Sequence, residues 1–382
     1  MQTRTKDEAL NPFPWYRLMR ETQPVYYNPQ YRFWQVFGYE DVQRVLSDYT
    51  SFSSVFGGGG ERHDPLGSSL ISMDPPRHRQ LRNLVTQAFT PRSVAQLSER
   101  ITAIVNQLLE QVAATRRMDI IDDLAYPLPV IVIAELLGIP HADRERFKVW
   151  SDAVVGATYP EDGDPQAEMS EYFLDMIAQR SREPKDDLIS ALLDAQIDGQ
   201  DLNQRELLGF CILLLVAGNE TTTNLIGNAI LCFDEHPEVM EQLRAEPALV
   251  PGAVEEVLRY RSPVQFMYRR TVANTTIRDQ EIRAGQMVLA WIGSANRDEA
   301  QFPNPDSFDI RRTPNRHIAF GHGIHFCLGA PLARLEAKIV LTMLLERFHE
   351  IKRVPGVALE ATGSDIVYGV KHLPITFRPS AQ

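Results

Sequence analysis

Apolar residues recur at every third or fourth position along much of the chain, and this spacing is typical of helices that bury one face. The pattern is clearest across residues 94–112, 128–137 and 169–177. Alternating, strand-like stretches are short, and the first two of them predict a hairpin. They are residues 24–27, 32–37, 275–282, 287–291 and 375–377.

The longest predicted helix begins near Asn203, with Glu206 three residues later as in a capping box, and ends before Pro237. About 31 residues at about 1.5 Å each make a rod of roughly 45 Å, which must run through the core. Its centre, residues 218–223, combines a glycine and three β-branched threonines, which are poor helix formers, with two further polar residues. A weakened polar segment inside an apolar helix predicts either a kink or a site.

A polar stretch at residues 51–69 contains four consecutive glycines, Gly57 to Gly60, and predicts a long loop. Loops of this length tend to be functional, and a disordered insertion is the alternative. Asp74 followed by two prolines predicts the start of a further helix. No internal repeat or linker divides the sequence, so we expect one mainly α domain with small β-sheets at its margin.

Composition restricts the class of protein. The chain has 382 residues and a formal net charge of −11, which argues against nucleic-acid binding. Three cysteines cannot form a disulfide framework and indicate a reducing compartment. The N-terminal residues lack the apolar core of a signal peptide, and the apolar run at residues 210–217 is too short to span a bilayer. We therefore expect a cytoplasmic protein with no membrane contact.

The strongest chemical signal is the segment Phe320-Gly-His-Gly-Ile-His-Phe-Cys-Leu-Gly329. Gly321 and Gly323 allow a tight turn that brings the backbone close to a flat ligand. Cys327 precedes an apolar-periodic helix, whose N-terminus favours the thiolate. A thiolate without a second cysteine nearby suits an axial ligand of haem iron better than a zinc site. The alternative for a lone cysteine is a buried, inert thiol.

This segment resembles the haem-ligand loop of the cytochrome P-450 monooxygenases, F-G-x-G-x-H-x-C-x-G, at all six specified positions. The resemblance runs from about Pro12 to Phe377 and is greatest to the soluble bacterial branch. It implies a single cytochrome P-450 domain over residues 1–382, with the long central helix crossing over the haem. It also implies heme b (iron protoporphyrin IX), with Cys327 as the axial iron ligand, and O2 as co-substrate. The matching residues are Phe320, Gly321, Gly323, His325, Cys327 and Gly329.

A structural set of charges also matches by resemblance. Glu256 and Arg259, three apart on one helix face, match the E-x-x-R pair that the family buries with a later arginine. Arg312 fits that third position, with Arg311 as the alternative. From the spacing alone, a surface ion pair is the simpler explanation.

The resemblance further implies cationic partners for the two haem propionates. They are His78 and Arg82 on an early helix, Arg269 with Arg270 as the alternative, and His325. Each one alone is equally consistent with a solvated charge. The other residues implied to contact the haem are Ala217, Gly218, Phe320, Gly321, Cys327 and Gly329.

The weakened centre of the long helix, Ala217-Gly-Asn-Glu-Thr-Thr222, is similar to the family's oxygen-activation motif, [A/G]-G-x-[D/E]-T-[T/S]. The match implies that Gly218 leaves room for dioxygen, Glu220 relays protons inward, and Thr221 donates a hydrogen bond to dioxygen at the iron. The implied reaction inserts one oxygen atom into an organic substrate. Threonines that only hydrogen-bond their own helix are the alternative.

Substrate and partners follow from the same resemblance. An apolar pocket, completed by the loops at 52–69 and 155–168, favours a hydrophobic steroid, terpenoid, fatty acid or macrolide. No flavin or nicotinamide domain fits in the chain, so we expect a monomer that receives electrons from a ferredoxin or flavodoxin with its NAD(P)H-dependent reductase. A basic docking patch is expected near the cysteine. The patch comprises Arg77, His322, Arg334 and Lys338, and the pocket comprises Leu213, Val216, Ala217, Val264 and Phe266.

Two rival functions remain at this stage. A peroxide-driven haem-thiolate oxygenase needs no electron donor, but such proteins typically lose the acid–alcohol pair that Glu220 and Thr221 supply. A non-catalytic haem-thiolate sensor would keep Cys327 without needing that pair. Turnover with a surrogate reductase, compared with peroxide alone, distinguishes the three.

Overall fold

The computed structural model describes residues 9–56, 65–143, 146–147, 149–150, 164–197 and 200–380. Within these ranges the chain is mainly helical, as the apolar spacing predicts. The predicted glycine run and most of the 155–168 connection lie outside the described residues. The helices are α1 (Phe13–Thr22), α2 (Tyr39–Ser47), α3 (Arg77–Thr86), α4 (Pro91–Ala95), α5 (Ser98–Ala113), α6 (Pro127–Leu136), α7 (Pro165–Arg182), α8 (Leu188–Asp194), α9 (Gln204–Glu235), α10 (Pro237–Ala245), α11 (Val250–Tyr260), α12 (Ile292–Ala295) and α13 (Ala330–Arg347).

The strands described here form four small sheets. A five-stranded sheet has the order β1-β2-β10-β7-β3, a three-stranded sheet the order β11-β12-β4, and β5-β6 and β8-β9 are hairpins. The β2–β10 pair is parallel and the other pairs are antiparallel. The strands are β1 (Val25–Asn28), β2 (Phe33–Val36), β3 (Phe52–Ser53), β4 (Arg117–Asp119), β5 (Gln196–Ile197), β6 (Gln200–Asp201), β7 (Met267–Thr271), β8 (Thr275–Ile277), β9 (Gln280–Ile282), β10 (Met287–Ala290), β11 (Phe348–Arg353) and β12 (Pro374–Pro379).

The N-terminal hairpin is confirmed, because β1 and β2 pair antiparallel from Val25–Val36 to Asn28–Phe33. The segment 275–282 is a hairpin of two strands rather than one strand. Its chain reverses at Arg278, which has a φ of 53°. The sequence pattern did not reveal this turn, because apolar and polar residues alternate on both sides of it.

The long helix α9 runs through the core, as its length predicts. It packs against α6, α7, α11 and α13. Its N-terminus carries the predicted capping box: Asn203 Oδ1 accepts from Glu206 N at 3.0 Å, and Glu206 Oε2 accepts from Asn203 N at 3.1 Å. The helix is long and apolar enough to cross a membrane, but 67% of its most apolar window is buried inside the protein. Burial within the fold accounts for its apolar composition.

The weakened centre of α9 stays helical, although side chains there bond to the helix backbone. Thr221 Oγ1 donates to the Ala217 carbonyl at 2.7 Å, and Asn224 Nδ2 donates to the Glu220 carbonyl at 2.7 Å. Such bonds relax the regular ladder of a helix. The segment is therefore a local site within a continuous helix.

Beside the five-stranded sheet lies a compact aromatic cluster formed by Tyr16, Phe37, Phe266 and Trp291. The Phe37 and Trp291 rings stack 5.8 Å apart, and Phe266 lies 4.7 Å from Trp291. This cluster packs α1 against the sheet. Phe266 is therefore a core residue.

Candidate active site

One cavity of about 250 Å³ is lined by the centre of α9 and by the cysteine loop, residues 320–329. From α9 come Leu213, Ala217, Gly218 and Thr221. The opposite wall is formed by most of the cysteine loop, including Cys327, and by the first two turns of α13. The fold thus brings together the two motifs that the sequence singled out.

Two glycines shape the cysteine loop. Gly321 and Gly323 have φ values of 74° and 72°, in the left-handed region that favours glycine. A Cβ on Gly323 would lie 2.7 Å from the Cα of Ser47, so α2 packs directly on the loop. The loop closes when the N–H of Cys327 donates to the Phe320 carbonyl at 2.8 Å. Cys327 is held three residues before α13 begins.

The Cys327 thiol lies in an environment with opposing effects on its pKa. Burial raises the pKa above its ordinary value, while the backbone N–H groups of Gly329 and Ala330 and the charge of Arg82 lower it. The sequence predicted that the helix terminus favours the thiolate, but burial outweighs this effect. A metal cation bound in place of the thiol proton would favour the thiolate.

The four predicted cationic residues converge at the edge of the cavity. The His78 and His325 ring centroids are 4.3 Å apart, and burial lowers their pKa values to about 4 and about 3. Arg82 donates to the Phe326 carbonyl at 2.6 Å. Arg269 is only 3% exposed, and burial lowers its pKa to about 10, whereas Arg270 is exposed.

These residues fit a haem. The Nε2 atoms of His78 and His325 are buried and have no hydrogen-bond partner among the described residues. Buried imidazole nitrogens and buried guanidinium groups require polar or anionic partners. The two carboxylates of a haem would satisfy them beside an apolar cavity that ends at Cys327. Haem is thus compatible with the donor set and with the single thiol.

On α9, Thr221 lines the cavity, and its hydroxyl donates to the Ala217 carbonyl at 2.7 Å. In this conformation its oxygen is an acceptor at the cavity surface. The donation to dioxygen that the family resemblance implies stays a prediction. Gly218 also lines the cavity, and a Cβ there would lie 3.2 Å from the Ile133 side chain. The glycine therefore also allows α6 to pack closely on α9. Glu220 is half-buried and lies outside the cavity lining.

A buried ion network lies behind the cysteine loop. Glu256 and Arg259 are both fully buried, and two bonds of 2.8 Å join them. Arg312 reaches Glu256 at 3.2 Å, whereas Arg311 pairs with Glu246 at the surface. The structure therefore places Arg312, and not its neighbour, in the network.

The predicted substrate residues divide into two groups. Leu213, Ala217 and Val264 line the cavity, but Val216 and Phe266 do not. Val216 packs against the main core and Phe266 against Trp291. Further apolar residues line the cavity that the sequence did not single out. They are Leu70, Ile71, Ile133, Phe210, Leu214, Met267 and Ile292.

Sequence reasoning also missed Glu336, a cavity residue that is 1% exposed. Burial alone raises the pKa of its carboxyl to about 8. The helical spacing could have indicated this burial, because Glu336 lies on the same face of α13 as the apolar residues Leu332 and Ala333. The sequence also gave no sign that Arg334 donates two hydrogen bonds, of 2.7 and 2.8 Å, to the Glu255 carboxylate. Arg334 is thus already paired.

Cys327, Arg82, Arg269 and His325 line the same apolar cavity of a mainly helical protein, and this combination fits a haem held by a thiolate. The fold and the site therefore point to the class of haem-thiolate proteins. The family model for cytochrome P450 matches residues 164–360. The chain belongs to the cytochrome P450 family.

Individual relatives agree over nearly the full length. Putative cytochrome P450 YjiB of Bacillus subtilis (strain 168) is 45% identical over 96% of this chain and 94% of its own length. Erythromycin C-12 hydroxylase of Saccharopolyspora erythraea is 41% identical over 94% of this chain and 93% of its own. The crystal structure of CYP109E1 from Bacillus megaterium with testosterone superposes with a TM-score of 0.92 at 44% identity, covering 98% of this chain and 99% of that one.

The protein is accordingly a P450 monooxygenase, and the cysteine loop recognised in the sequence belongs to the family it suggested. The mainly helical fold with small sheets is confirmed by the same superposition. The family implies haem as the cofactor and O2 as the oxidant, and its members bind hydrophobic substrates and generally need redox partners.

Proposed function

We propose that this monooxygenase hydroxylates or epoxidises an uncharged, hydrophobic molecule of steroid size, with heme b as its haem. The observation that carries the proposal is the cavity, which is lined by both Cys327 and Thr221 and otherwise mainly by apolar side chains. Apolar pockets with few polar groups select hydrophobic ligands.

When bound, haem supplies the redox chemistry that activates dioxygen and transfers one oxygen atom to the substrate. Cys327, whose backbone N–H donates to the Phe320 carbonyl, would supply the thiolate that holds the haem iron. His78, Arg82, Arg269 and His325 bind the propionates through the donors that otherwise lack anionic partners. These residues would orient the cofactor, and the Cys327 thiolate would supply electron density to it.

Glu220 and Thr221 are the proposed proton-delivery pair. The Thr221 hydroxyl already donates to the Ala217 carbonyl, so its oxygen orients a water molecule by accepting from it. Glu220, half-buried on the same turn, connects this position to solvent. A positioned proton donor of this kind contributes about 100- to 10,000-fold in rate.

Two observations favour an uncharged substrate. The charged residues of the lining are Arg82, Arg269 and Glu336, and the arginines are assigned to the cofactor. A fatty-acid carboxylate therefore finds no free cation among the described lining residues. CYP109E1 binds testosterone, which is uncharged and apolar. We accordingly favour a steroid over a fatty acid.

For electron supply we propose a ferredoxin or flavodoxin with its NAD(P)H-dependent reductase, docking near Cys327. Within the predicted basic patch, Arg77 pairs with Glu206 and Arg334 with Glu255, while His322 and Lys338 are exposed. The exposed members are the proposed contacts. We further propose that residues 1–382 act as one domain, in a cytoplasmic monomer.

The first experiment is the absorption spectrum of the reduced protein with carbon monoxide, for wild type and Cys327→His. A Soret band at the far-red position of a haem thiolate, lost in the variant, supports the proposed ligand. A histidine-type wild-type spectrum contradicts it. Testosterone should then shift the haem spin state, and hexadecanoate should not.

Turnover with a surrogate ferredoxin and reductase should exceed turnover with peroxide alone. Equal turnover with peroxide would favour the peroxide-driven alternative. No turnover in either case, despite a thiolate spectrum, would favour a sensor.

A further inference from the structure

A charged network that the proposed chemistry does not use adjoins the cysteine loop. Arg334 on α13 donates from Nε and Nη2 to the two carboxylate oxygens of Glu255 on α11, at 2.7 and 2.8 Å. His317, in the segment before the loop, accepts from the Ala319 N–H on Nδ1 at 3.3 Å, so its Nε2 donates to Glu255 at 3.0 Å. A guanidinium that makes two parallel bonds to one carboxylate has a fixed orientation. Arg334 is therefore held in one place.

The Arg334 guanidinium stacks on the Phe320 ring. Its Cζ lies 4.4 Å from the ring centroid, well within the range of a cation–π contact. Phe320 lines the cavity, and its carbonyl accepts from the N–H of Cys327 at 2.8 Å. Arg334 itself lies outside the lining. One phenyl ring thus lies between a fixed positive charge and the cavity.

The Glu255–Arg334 pair presents its positive end to the cysteine loop. Arg334 faces the loop through the Phe320 ring, and its charge, like that of Arg82, acts on the Cys327 sulfur. Arg82 is assigned to a haem propionate, whereas Arg334 has no such assignment. Although burial opposes it, hydrogen bonding from Arg334 and His317 lowers the pKa of Glu255 to about 2, so the pair is ionised at pH 7.

We propose that the Glu255–Arg334 pair tunes the reduction potential of the haem held by Cys327. Arg334 raises the potential, and Glu255 is the positioning residue and counter-charge that limits the rise. The inference rests on the proposed function, in which Cys327 supplies the haem ligand. One electron from the proposed ferredoxin or flavodoxin converts ferric to ferrous iron and adds one negative charge to the site, which a nearby cation stabilises. No bond of the protein forms or breaks.

The test measures the reduction potential of the haem-loaded enzyme by spectroelectrochemistry, without substrate or redox partner. Arg334→Gln leaves Glu255 without its counter-charge, so the potential should fall. A roughly tenfold smaller reduction constant corresponds to about 59 mV for one electron. Glu255→Gln leaves Arg334 without its counter-charge, so the potential should rise, with a roughly threefold larger constant. Loss of packing gives no reason for opposite signs.

Two further variants separate charge from structure. Arg334→Lys keeps the charge but loses the pair of parallel bonds, and its reduction constant should stay within about threefold of wild type, closer to it than Arg334→Gln. A purely structural role for Arg334 predicts the same potential for the Lys and Gln variants. The double variant Glu255→Gln with Arg334→Gln removes both charges and should lie between the two single variants.

Arg378→Gln is the matched control at a distant site. Arg378 pairs with Glu350 at 3.0 Å, on the strand that follows the end of α13. The 18 residues of α13 span about 27 Å, more than twice the screening length of about 10 Å at 0.1 M salt. Removing this cation should therefore change the reduction constant by less than about twofold. A change as large as that of Arg334→Gln would show that the effect is not local, and it would overturn the inference.

The outcomes distinguish this inference from the proposed function. Each potential is measured on the fraction that shows a haem-thiolate spectrum with carbon monoxide, so partial loss of haem does not hide a shift. If Arg334→Gln retains too little haem, the upward shift in Glu255→Gln tests the charge by itself. Unchanged potentials, or shifts of the same sign in both Gln variants, overturn the inference while the proposed function stands. A wild-type spectrum without a thiolate signature overturns both.

Discussion

At the scale of single residues, two glutamates beside the cysteine loop show how surroundings decide ionisation. Glu336 is buried with no cation beside it among the described residues, and burial raises its pKa to about 8. Glu255 is also desolvated, but hydrogen bonds from Arg334 and His317 hold its pKa at about 2. The same residue type is therefore neutral in one place and charged in the other at pH 7.

These shifts predict opposite pH dependences of stability. The folded-state pKa of Glu336 lies above its ordinary value of 4.5, so the folded state binds more protons and the free energy of unfolding falls as pH rises from about 4.5 to about 8. Glu336→Gln should remove this fall, which urea unfolding of haem-free protein at pH 5 and pH 8 measures. An unchanged slope would contradict the assignment.

Glu255→Gln is the control of opposite sign. The folded-state pKa of Glu255 lies below 4.5, so its contribution is present above pH 4.5 and is lost as pH falls toward about 2. Replacement should therefore lower stability at pH 7 and flatten the acid side of the profile. Its slope between pH 5 and pH 8 should match wild type.

Thr221→Ala should keep the haem and the thiolate spectrum but divert electrons to peroxide. Its hydroxyl bonds only to the Ala217 carbonyl among the described residues, so little stability is lost, while the acceptor at the cavity is removed. We expect a roughly tenfold lower product per electron, within the range for a proton-delivery group. Thr221→Ser keeps the hydroxyl and should retain coupling. Equal coupling in wild type and Thr221→Ala would exclude this role.

At the scale of elements, the cysteine loop depends on two glycines for different reasons. Both have a positive φ, but a Cβ on Gly321 would meet its nearest atom, the His325 carbonyl oxygen, only at 3.7 Å. On Gly323 it would meet the Ser47 Cα at 2.7 Å. One position is limited by conformation alone, and the other also by the packing of α2.

Gly321→Ala should therefore cost about 1–2 kcal/mol of stability, the penalty for an L-residue in the left-handed region. Gly323→Ala should cost clearly more and also reduce haem retention, because α2 must move away from the loop. Thermal unfolding and the haem-to-protein absorbance ratio measure the two effects. Equal losses in both variants would show that packing against Ser47 contributes nothing.

At the scale of the whole molecule, Glu256 joins segments that are far apart in the sequence. It binds Arg259 on α11, Arg312 in the segment before the cysteine loop, and the N–H of Asp309 at 2.9 Å. Arg259 also donates to the carbonyls of Asn296 and Pro305. The network thus holds the chain that leads into the cysteine loop against the core.

Arg312→Ala should destabilise the protein by about 3 kcal/mol or more, because it removes one partner from a buried charge cluster. Arg311→Ala, its neighbour in a surface pair with Glu246, should cost about 1 kcal/mol or less. Chemical denaturation of both variants makes the comparison. Equal costs would refute a special role for Arg312.

Much of the fold and part of the site were predictable from local sequence. The capping box at Asn203 and the β1–β2 hairpin depend on neighbouring residues, and both are as expected. The cysteine loop and the Glu220–Thr221 segment were recognisable because their residue types are rare in combination. Val216 and Phe266 were expected in the cavity lining but pack in the core. Local sequence does not tell which face of a helix or strand meets the cavity, because that depends on the segments that pack against its other faces.

The sequence by itself determined the helical class and the family, and it singled out Cys327 as the candidate haem ligand, because spacing and residue type are properties of the chain alone. Only the tertiary structure decided that Arg312 rather than Arg311 reaches Glu256 and that Asn224 meets both Glu220 and Gly369. It also decided that Glu336 is buried with Oε1 unpaired among the described residues. The reason is physical: burial, and hence pKa and hydrogen-bond satisfaction, depends on which distant segments exclude water from a side chain.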